Sequence, residues 1–348
     1  METSKRAIIL TYYKEPNYGA FLQAYSMQSF LGQNGISAFV YEYNSLSPKI
    51  ITALYRLVKG RRRISSEKKD YNKKMESAVL KRQSSLNLYH GSDHFDLAIL
   101  GSDEIWNIRN VYASHDPFLF KKNRKAARTI SYAACAGNSE IHHFRFLPYA
   151  KRGINSLDAV SVRDDHTERI VKALGRNDVV RVIDPIFLYD LADELPDLRT
   201  ERPYVFVYSY GLSKEQVDVI CDAAKRNDWA IIVTGTSCVW ADKNPAPDPF
   251  EWVAYLKNAE AVITSTFHGT AFSILFNKNF VVLNNWSHKV DSLLKEIGLP
   301  DRRASDTESV INLLKEPIDF TKVNALLKEK QEFSSKFVLK QLGLTTKK

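Results

Sequence analysis

The sequence predicts an α/β protein made of two Rossmann-like domains that face each other across a cleft. Two series of strand-like apolar runs alternate with helical patterns, and parallel strands joined by helices form open, doubly wound sheets. An acidic stretch with two prolines and no periodic apolar positions, residues 190–203, separates the two series. The chain of 348 residues is also long for a single core.

The first series predicts an N-terminal domain over residues 1–190. It begins with an apolar run, a helical pattern and a second apolar run, which is the order of a βαβ unit. The predicted helix covers residues 19–33. The predicted strands are residues 7–11, 37–43, 96–100, 129–134, 159–162 and 179–183.

The second series predicts a C-terminal domain over residues 191–318. In two such domains the carboxyl ends of both sheets face the cleft, where α/β proteins bind their ligands. A last helical pattern, residues 320–342 within the segment 319–348, is expected to cross back onto the N-terminal domain. The strands are predicted at residues 204–209, 229–234, 261–264 and 280–283, and the helices at residues 213–226, 249–257, 269–276 and 288–297.

The positive charge of the chain is concentrated in an insertion of the N-terminal domain, residues 45–90. The whole chain has 49 basic and 40 acidic residues, which gives a net charge of +9. The insertion contains 12 Lys or Arg and 3 acidic residues, so its surplus equals that of the whole chain. Because the charge is not spread over a binding face, we expect no nucleic-acid partner.

Residues 48–89 of this insertion have a helical pattern. Several apolar residues share one helix face beside Lys and Arg side chains. A basic amphipathic helix of this kind can lie on an anionic membrane surface. A solvated helical hairpin that packs on its own domain is the alternative. The apolar residues concerned are Ile50, Ile51, Leu54, Leu57 and Val58.

Targeting, disulfide and metal signals are weak in this sequence. No run approaches the roughly 18 apolar residues of a membrane span, and no secretory signal is evident. We therefore expect a cytoplasmic protein that contacts the inner membrane face peripherally through the insertion. The three cysteines lack the spacing of a disulfide framework or a thiolate metal site. His90 and His94 have helical metal-ligand spacing but lie in a loop-like sequence, so no metal site is expected.

A polar turn between an apolar strand and an apolar helix is the first candidate site, in the sequence ITSTFHGTAF of residues 263–272. Free backbone N–H groups and the positive end of a helix dipole favour a phosphate or carboxylate there. Gly269 would let the backbone approach a ligand closely, and His268 can transfer a proton near neutral pH. A helix cap or a buried structural histidine is the alternative reading of His268.

A second polar turn, GSDEIWN at residues 101–107, follows the apolar run FDLAIL. Asp103 could accept a proton from a hydroxyl, and Trp106 offers a flat ring on which a sugar could stack. An N-cap aspartate followed by a core tryptophan would have the same sequence.

Two further polar turns follow strands. NYGAFLQAYSMQ, residues 17–28, has Gly19 at the predicted helix start, and SVRDD, residues 161–165, offers Arg163 for bidentate contact with an oxyanion. In this fold all four turns would converge on one cleft. The common dinucleotide-binding, NTPase and serine-hydrolase motifs do not occur in the sequence.

Together these segments resemble the polysaccharide pyruvyl transferase family. The resemblance rests on NYGAFLQAY, GSDEIWN, ISYAACAG, SVRDD, DPIF at Asp184 and TSTFHGTAFSILFNKNF, in this order over about residues 7 to 300. It implies a fold similar to GT-B glycosyltransferases. It also implies transfer of pyruvate from phosphoenolpyruvate, as a ketal across two hydroxyls of a sugar, in a surface polysaccharide or its lipid-linked precursor. No cofactor or metal is implied.

The resemblance also implies roles for the candidate residues. His268 would bind phosphoenolpyruvate and protonate its methylene carbon, Arg163 would bind an oxyanion, and Asp103 would act as the base for the acceptor. The remaining candidates divide between the donor, bound by Ser265, Thr266, Gly269 and Thr270, and the acceptor, bound by Asn17, Tyr18, Gly19, Trp106 and Asn107.

One position departs from the family pattern. Some members have an Arg two residues before the histidine of the last motif, where it can bind the donor, whereas this chain has Thr266. Another cation is then required, and Lys278 and Arg109 are the candidates. A glycosyltransferase that uses a nucleotide sugar, or a non-catalytic glycan-binding or assembly protein, remains an alternative.

Overall fold

Two separate parallel β-sheets form the framework of the protein in a computed structural model. The structure describes residues 4–14, 16–42, 65–110, 119–145, 147–283 and 287–344. Neighbouring strands are parallel in every pairing of the two sheets. Within these ranges the first sheet has seven strands and the second has four.

The seven-stranded sheet has the order β3-β2-β1-β4-β5-β6-β7. Its strands are apolar on both faces, because helices cover both sides of a parallel sheet. In the first strand, Ala7 and Ile9 pack in one core cluster and Ile8 and Leu10 in another. The strands are β1 (Arg6–Leu10), β2 (Ser37–Tyr41), β3 (Leu88–Tyr89), β4 (Phe95–Leu100), β5 (Ala126–Ala134), β6 (Ala159–Val162) and β7 (Val180–Arg181).

Five helices accompany this sheet within the described residues. Polar residues that precede a helix cap several of them: the Ser65 hydroxyl accepts a hydrogen bond from the backbone N–H of Lys68, and Asp164 accepts one from Thr167. The helices are α1 (Tyr18–Gln33), α2 (Ser66–Arg82), α3 (Ile141–Phe144), α4 (Pro148–Ser156) and α5 (Asp165–Ala173).

The four-stranded sheet has the order β11-β10-β8-β9 and follows the same alternation. Its first strand begins at Tyr204, beyond the acidic stretch 190–203 that was predicted to be the linker. The strands are β8 (Tyr204–Tyr208), β9 (Ala230–Val233), β10 (Ala261–Thr264) and β11 (Asn279–Val282), and the helices are α6 (Lys214–Arg226), α7 (Pro249–Asn258), α8 (Phe267–Leu275), α9 (His288–Glu296) and α10 (Thr307–Lys315).

The last helix, α11 (Phe320–Lys340), returns to the N-terminal domain. The Ser334 hydroxyl accepts a hydrogen bond from the backbone N–H of Ile183 at 3.1 Å, and the Gln331 amide donates to the Phe187 carbonyl at 2.7 Å. Together with the interdomain core around Trp252, this helix ties the two sheets into one continuous hydrophobic cluster.

The described part of the basic insertion contains helix α2 and ends in strand β3, and it contacts both domains. The prediction of a helical pattern up to residue 89 is therefore wrong at its end, where β3 pairs with β2. Helix α2 directs Tyr71 to the C-terminal domain, where its hydroxyl donates to the Pro245 carbonyl at 2.9 Å and accepts from the Gly235 N–H at 2.8 Å. Arg82 forms an ion pair with Asp248, the N-cap of α7, at 2.7 Å. Residues 43–64, which include the predicted amphipathic face, lie outside the described residues.

The described helices include none that is both long and apolar enough to cross a membrane. All three cysteines are free thiols. Cys135 is buried, and Cys221 and Cys238 are partly exposed.

Candidate active site

Six charged or titratable side chains meet where the carboxyl ends of the two sheets face each other. Four of them follow strands of the N-terminal domain, and two come from helices α8 and α9 of the C-terminal domain. Ion pairs and Coulomb interactions link all of them. They are Asp103, Glu104, Arg163, Asp184, His268 and Lys289.

Arg163 is the centre of this cluster. Its Nη1 donates to Asp184 Oδ2 at 2.6 Å, and its Nη2 lies 3.4 Å from Asp103 Oδ1. The centroid of the Phe267 ring lies 4.1 Å from the guanidinium carbon. Only 2% of the Arg163 side chain is exposed, so the two carboxylates compensate the cost of burying its charge.

Arg163 and Asp103 keep their charges in this buried site, because the pKa of Arg163 is raised and the pKa of Asp103 is lowered. Burial acts to lower the pKa of Arg163, but Cys135, Asp184 and Asp103 outweigh burial and the net shift is upward. Burial likewise acts to raise the pKa of Asp103, but the neighbouring cations outweigh it and the pKa falls. Both side chains are therefore ionised at neutral pH.

Asp103 adopts a strained backbone conformation at the end of the first sheet, and its carboxylate reaches Arg163. Its φ of 67° lies in the left-handed region, which aspartate tolerates better than most residues. The Asp103 carbonyl accepts hydrogen bonds from the backbone N–H groups of Ile105 at 2.8 Å and Cys135 at 3.0 Å. Such strain is common at functional sites, where surrounding contacts maintain it.

His268 lies in the first turn of α8 and is buried against the N-terminal domain. A Cβ atom at Gly19 of α1 would lie 1.9 Å from its Nδ1, so the imidazole occupies the space that the glycine leaves. His268 Nε2 is 4.0 Å from Asp184 Oδ2 and makes no hydrogen bond with the described residues.

The His268 imidazole is neutral at pH 7. Burial is the main cause that lowers its pKa from 6.5 to about 4. The Asp184 and Asp103 carboxylates act against burial, whereas the Arg163 and Lys289 cations add to it. The histidine can accept a proton as it stands, but it can donate one only after a bound anion raises its pKa.

The hydroxyl groups of the turn at residues 265–270 mainly hold the turn itself. Thr266 is the N-cap of α8, and its Oγ1 accepts from the Gly269 N–H at 3.0 Å. Thr270 Oγ1 donates to the Thr266 carbonyl at 2.9 Å, and Ser265 Oγ accepts from the Tyr210 N–H at 3.2 Å. For an anion this leaves the backbone N–H groups of Phe267 and His268, the first two residues of the helix, which have no partner inside it.

Gly269 is needed for packing rather than for contact with a ligand. A Cβ atom at this position would lie 2.2 Å from Thr264 Oγ1, at the end of β10. The glycine therefore lets α8 approach its own strand closely. The predicted role, close approach of the backbone to a ligand, is not what the structure indicates.

The residues at the start of α1 join the domains rather than line an acceptor site. The Asn17 carboxamide is the N-cap and accepts from the backbone N–H groups of Gly19 at 3.0 Å and Ala20 at 3.3 Å. Tyr18 is fully buried and stacks on Trp252 of the C-terminal domain, with 5.4 Å between the ring centroids. The predicted contact of Tyr18 with the acceptor is therefore not available in this conformation.

The prediction that Trp106 stacks on a sugar is wrong. Its side chain is 1% exposed, its Nε1 donates to the Leu119 carbonyl at 2.8 Å, and its ring stacks on Phe120. Asn107 is also buried, and its Nδ2 donates to Glu104 Oε2 at 2.6 Å. Trp106 is a core residue, and Asn107 orients Glu104.

The prediction that Lys278 binds the donor is also wrong. Lys278 immediately precedes β11, whose Asn279 pairs with Ala261 at the amino end of β10. His268 follows the carboxyl end of that strand. The two residues therefore lie at opposite ends of the sheet. The second candidate cation, Arg109, is exposed, and its charge acts on His143.

Lys289 is the cation that sequence reasoning missed. Its Nζ lies 2.5 Å from Glu104 Oε1, across the domain interface, and 6.0 Å from the centroid of the Phe267 ring. The side chain is 21% exposed, more than that of Arg163. Burial is the largest effect on the pKa of Lys289 and acts to lower it, but Glu104, Asp103 and Cys135 together outweigh burial and the pKa is raised.

An exposed aromatic ring lies beside the turn. Tyr210 follows β8, is 44% exposed, and donates its backbone N–H to Ser265. Its hydroxyl lies 3.0 Å from that of Tyr208. Tyr210 follows a strand of the second sheet, and this position in the sequence could have identified it as a candidate site residue.

The family model for polysaccharide pyruvyl transferase matches residues 17–288. The chain belongs to this family. The match covers both sheets from α1 onward and includes every residue of the charged cluster except Lys289, which is the next residue along the chain. The family is one of transferases that act on polysaccharides.

Solved structures with the same fold align with nearly the whole of this chain. UDP-GlcNAc 2-epimerase from Neisseria meningitidis, bound to UDP-GlcNAc, has a TM-score of 0.53 at 8% identity and covers 97% of this chain and 99% of its own. The S. aureus MnaA-UDP co-structure has a TM-score of 0.51 at 12% identity, and the alignment covers 99% of this chain and 98% of the MnaA chain.

At these identities the likeness is one of fold, and it confirms the predicted pair of Rossmann-like domains in a GT-B-type arrangement. Comparison with curated protein sequences finds no match.

Proposed function

We propose that this family member transfers pyruvate from phosphoenolpyruvate to a sugar of a surface polysaccharide or its lipid-linked precursor, and forms a cyclic ketal. The observation that carries the proposal is the chain of contacts from Asp103 through Arg163 and Asp184 to His268. It joins proton-transfer groups of both domains beside the N-terminus of α8.

The reaction requires one protonation and two hydroxyl attacks. The methylene carbon of phosphoenolpyruvate takes up a proton and becomes a methyl group, and C2 becomes electrophilic. Two sugar hydroxyls form bonds to C2 in turn while the bond from C2 to the phosphate oxygen breaks. Of the two hydroxyl protons released, one balances the proton placed on the methyl group and the other leaves with phosphate.

The donor phosphate would lie at the N-terminus of α8, where the N–H groups of Phe267 and His268 have no intrahelical partner. Lys289 would supply the cation that Thr266 cannot supply. It approaches the same turn from α9 and is the more exposed of the two cations near His268. The donor carboxylate would meet Arg163, whose buried Nε makes no hydrogen bond with the described residues.

Donor binding would also prepare His268 for catalysis. A donor with several negative charges beside the imidazole favours the protonated form and raises the pKa from about 4 toward neutrality. His268 would then protonate the methylene carbon. Asp103, which is ionised at the same site, would accept the hydroxyl proton of the acceptor.

The Tyr210 ring would replace Trp106 as the platform for the acceptor sugar. It is exposed beside the donor turn, and aromatic rings commonly stack on apolar faces of ligands.

The basic insertion would keep the enzyme near a lipid-linked acceptor. Residues 45–90 hold the whole surplus of positive charge, and a surplus of this size is attracted to anionic lipid. Sedimentation with anionic vesicles at low and high salt tests this part. A lack of binding even at low salt would contradict it.

The central test is the thermal shift of the protein with phosphoenolpyruvate, beside His268→Ala and Arg163→Ala. We expect stabilisation of the wild type that both variants lose. Phosphate release with a panel of acceptor sugars then tests the chemistry. A shift with a uridine nucleotide sugar but none with phosphoenolpyruvate would favour glycosyl transfer. Full biological activity of His268→Ala would favour a non-catalytic role.

A further inference from the structure

Three side chains that can ligate a metal meet at the domain interface, outside the charged cluster. Glu140 precedes α3, His166 is the second residue of α5, and His288 begins α9 in the C-terminal domain. Each offers one ligand atom, and these atoms all lie within 4.8 Å of one another. Among the described residues, this is where such ligands from both domains come together.

The geometry of the two histidines is already well defined. Their rings stack with 3.9 Å between the centroids and 5° between the planes. His166 is buried, and its Nε2 lies 2.7 Å from the Ser139 carbonyl oxygen and 3.9 Å from Glu140 Oε1. The Ser139 carbonyl accepts the proton of His166 Nε2, which fixes the orientation of the ring and leaves Nδ1 as the nitrogen that can bind a metal.

We propose that Glu140, His166 and His288 bind a divalent transition metal ion, of which Zn²⁺ is the best match. Two imidazoles and one carboxylate are a zinc ligand set, with water in the fourth position. Zinc bonds of about 2.0–2.1 Å require ligand atoms about 3.4 Å apart, so the three must move closer than they are here. A metal lies near the plane of each imidazole that binds it, so the His288 ring must turn out of its stack on His166. Glu140 is exposed and His288 half-buried, so rotation of these two side chains can bring their ligand atoms to the buried His166.

The metal would link the two domains at the helices that carry the active-site cations. His288 is the neighbour of Lys289, and His166 follows Arg163 by three residues. The same helices already meet elsewhere: Asp165 donates its N–H to the Ser292 hydroxyl at 3.3 Å. A metal at this position would therefore hold α5 and α9 together and restrict domain opening.

The test uses the full chain freed of metal with a chelator, and titration calorimetry with ZnCl₂, with MgCl₂ as the hard-cation comparison. We expect one Zn²⁺ per chain and a rise in melting temperature, with no response to Mg²⁺. His288→Ala and Glu140→Gln should each weaken Zn²⁺ binding by roughly tenfold or more.

The control is His142→Ala, which removes one ring of a second histidine pair, His142 and His143, that lies close by on α3. This variant should bind Zn²⁺ like the wild type. Absence of saturable binding, or binding that survives His288→Ala but is lost in His142→Ala, would overturn the proposal. None of these outcomes depends on the donor or acceptor.

Discussion

Gly19 of the N-terminal domain and His268 of the C-terminal domain are in direct contact, so closely that no side chain fits between them. A Cβ atom at Gly19 would lie 1.9 Å from Nδ1 of His268. The position of the candidate catalytic imidazole thus depends on a glycine in the other domain. This contact brings the polar turns of the two domains together.

The first prediction follows from that contact. Gly19→Ala should displace His268 or push the domains apart, and should lower kcat/KM for pyruvyl transfer on the order of 100-fold. Gly32→Ala is the matched control, because Gly32 lies near the end of the same helix and a Cβ there meets nothing within 4 Å. Activity should fall only in the first variant. Equal activity of both would contradict the contact.

Much of the fold could be predicted from the sequence because each strand is a short apolar run between polar turns. In a parallel sheet the carboxyl ends lie at one edge, so the order of strands and turns is enough to predict that Arg163 and His268 converge. The direction of a side chain within a turn cannot be read this way. Trp106, three residues after Asp103, therefore points into the core although Asp103 points into the cleft.

Lys278 and Lys289 show that closeness to His268 in the sequence does not predict closeness in space. Lys278 is close to His268 in sequence, but helix α8 carries the chain back to the opposite end of the sheet. Lys289 is farther along the sequence, yet one more strand returns the chain to the cleft. Proximity in sequence favoured the wrong lysine, because a helix after a strand reverses direction.

The second prediction uses these two lysines. Lys289→Ala should raise the Kd for phosphoenolpyruvate roughly 10- to 100-fold, because a charge-assisted contact with the donor is lost. Lys278→Ala should leave the Kd unchanged. Lys289→Arg should restore part of the affinity, since the charge is kept. Thermal shift titration measures all three, and weaker binding in Lys278→Ala alone would contradict the assignment.

The third prediction concerns stability and pH. The unfolded chain protonates His268 near pH 6.5, whereas the folded protein does so only near its pKa of about 4. Stability is therefore lost as the pH falls through this window, by about 2 kcal/mol between pH 7 and pH 5 from this group. His268→Gln cannot take up the proton, so its free energy of unfolding should fall less over the same range. Urea denaturation at both pH values measures the difference, and identical losses would contradict a neutral buried imidazole.

The last prediction tests whether the buried Trp106 ring or the exposed Tyr210 ring contacts the acceptor sugar. Trp106→Phe removes the hydrogen bond to Leu119 and part of a filled core, so it should destabilise the protein by roughly 1–3 kcal/mol and leave the KM for the acceptor unchanged. Tyr210→Ala should do the reverse and raise that KM up to about tenfold with little effect on stability. Tyr210→Phe is its control, because it keeps the ring and loses the hydroxyl contact with Tyr208. If Trp106→Phe alone changed the acceptor KM, the sugar platform would have to be the tryptophan, and the cleft would have to open far enough to expose it.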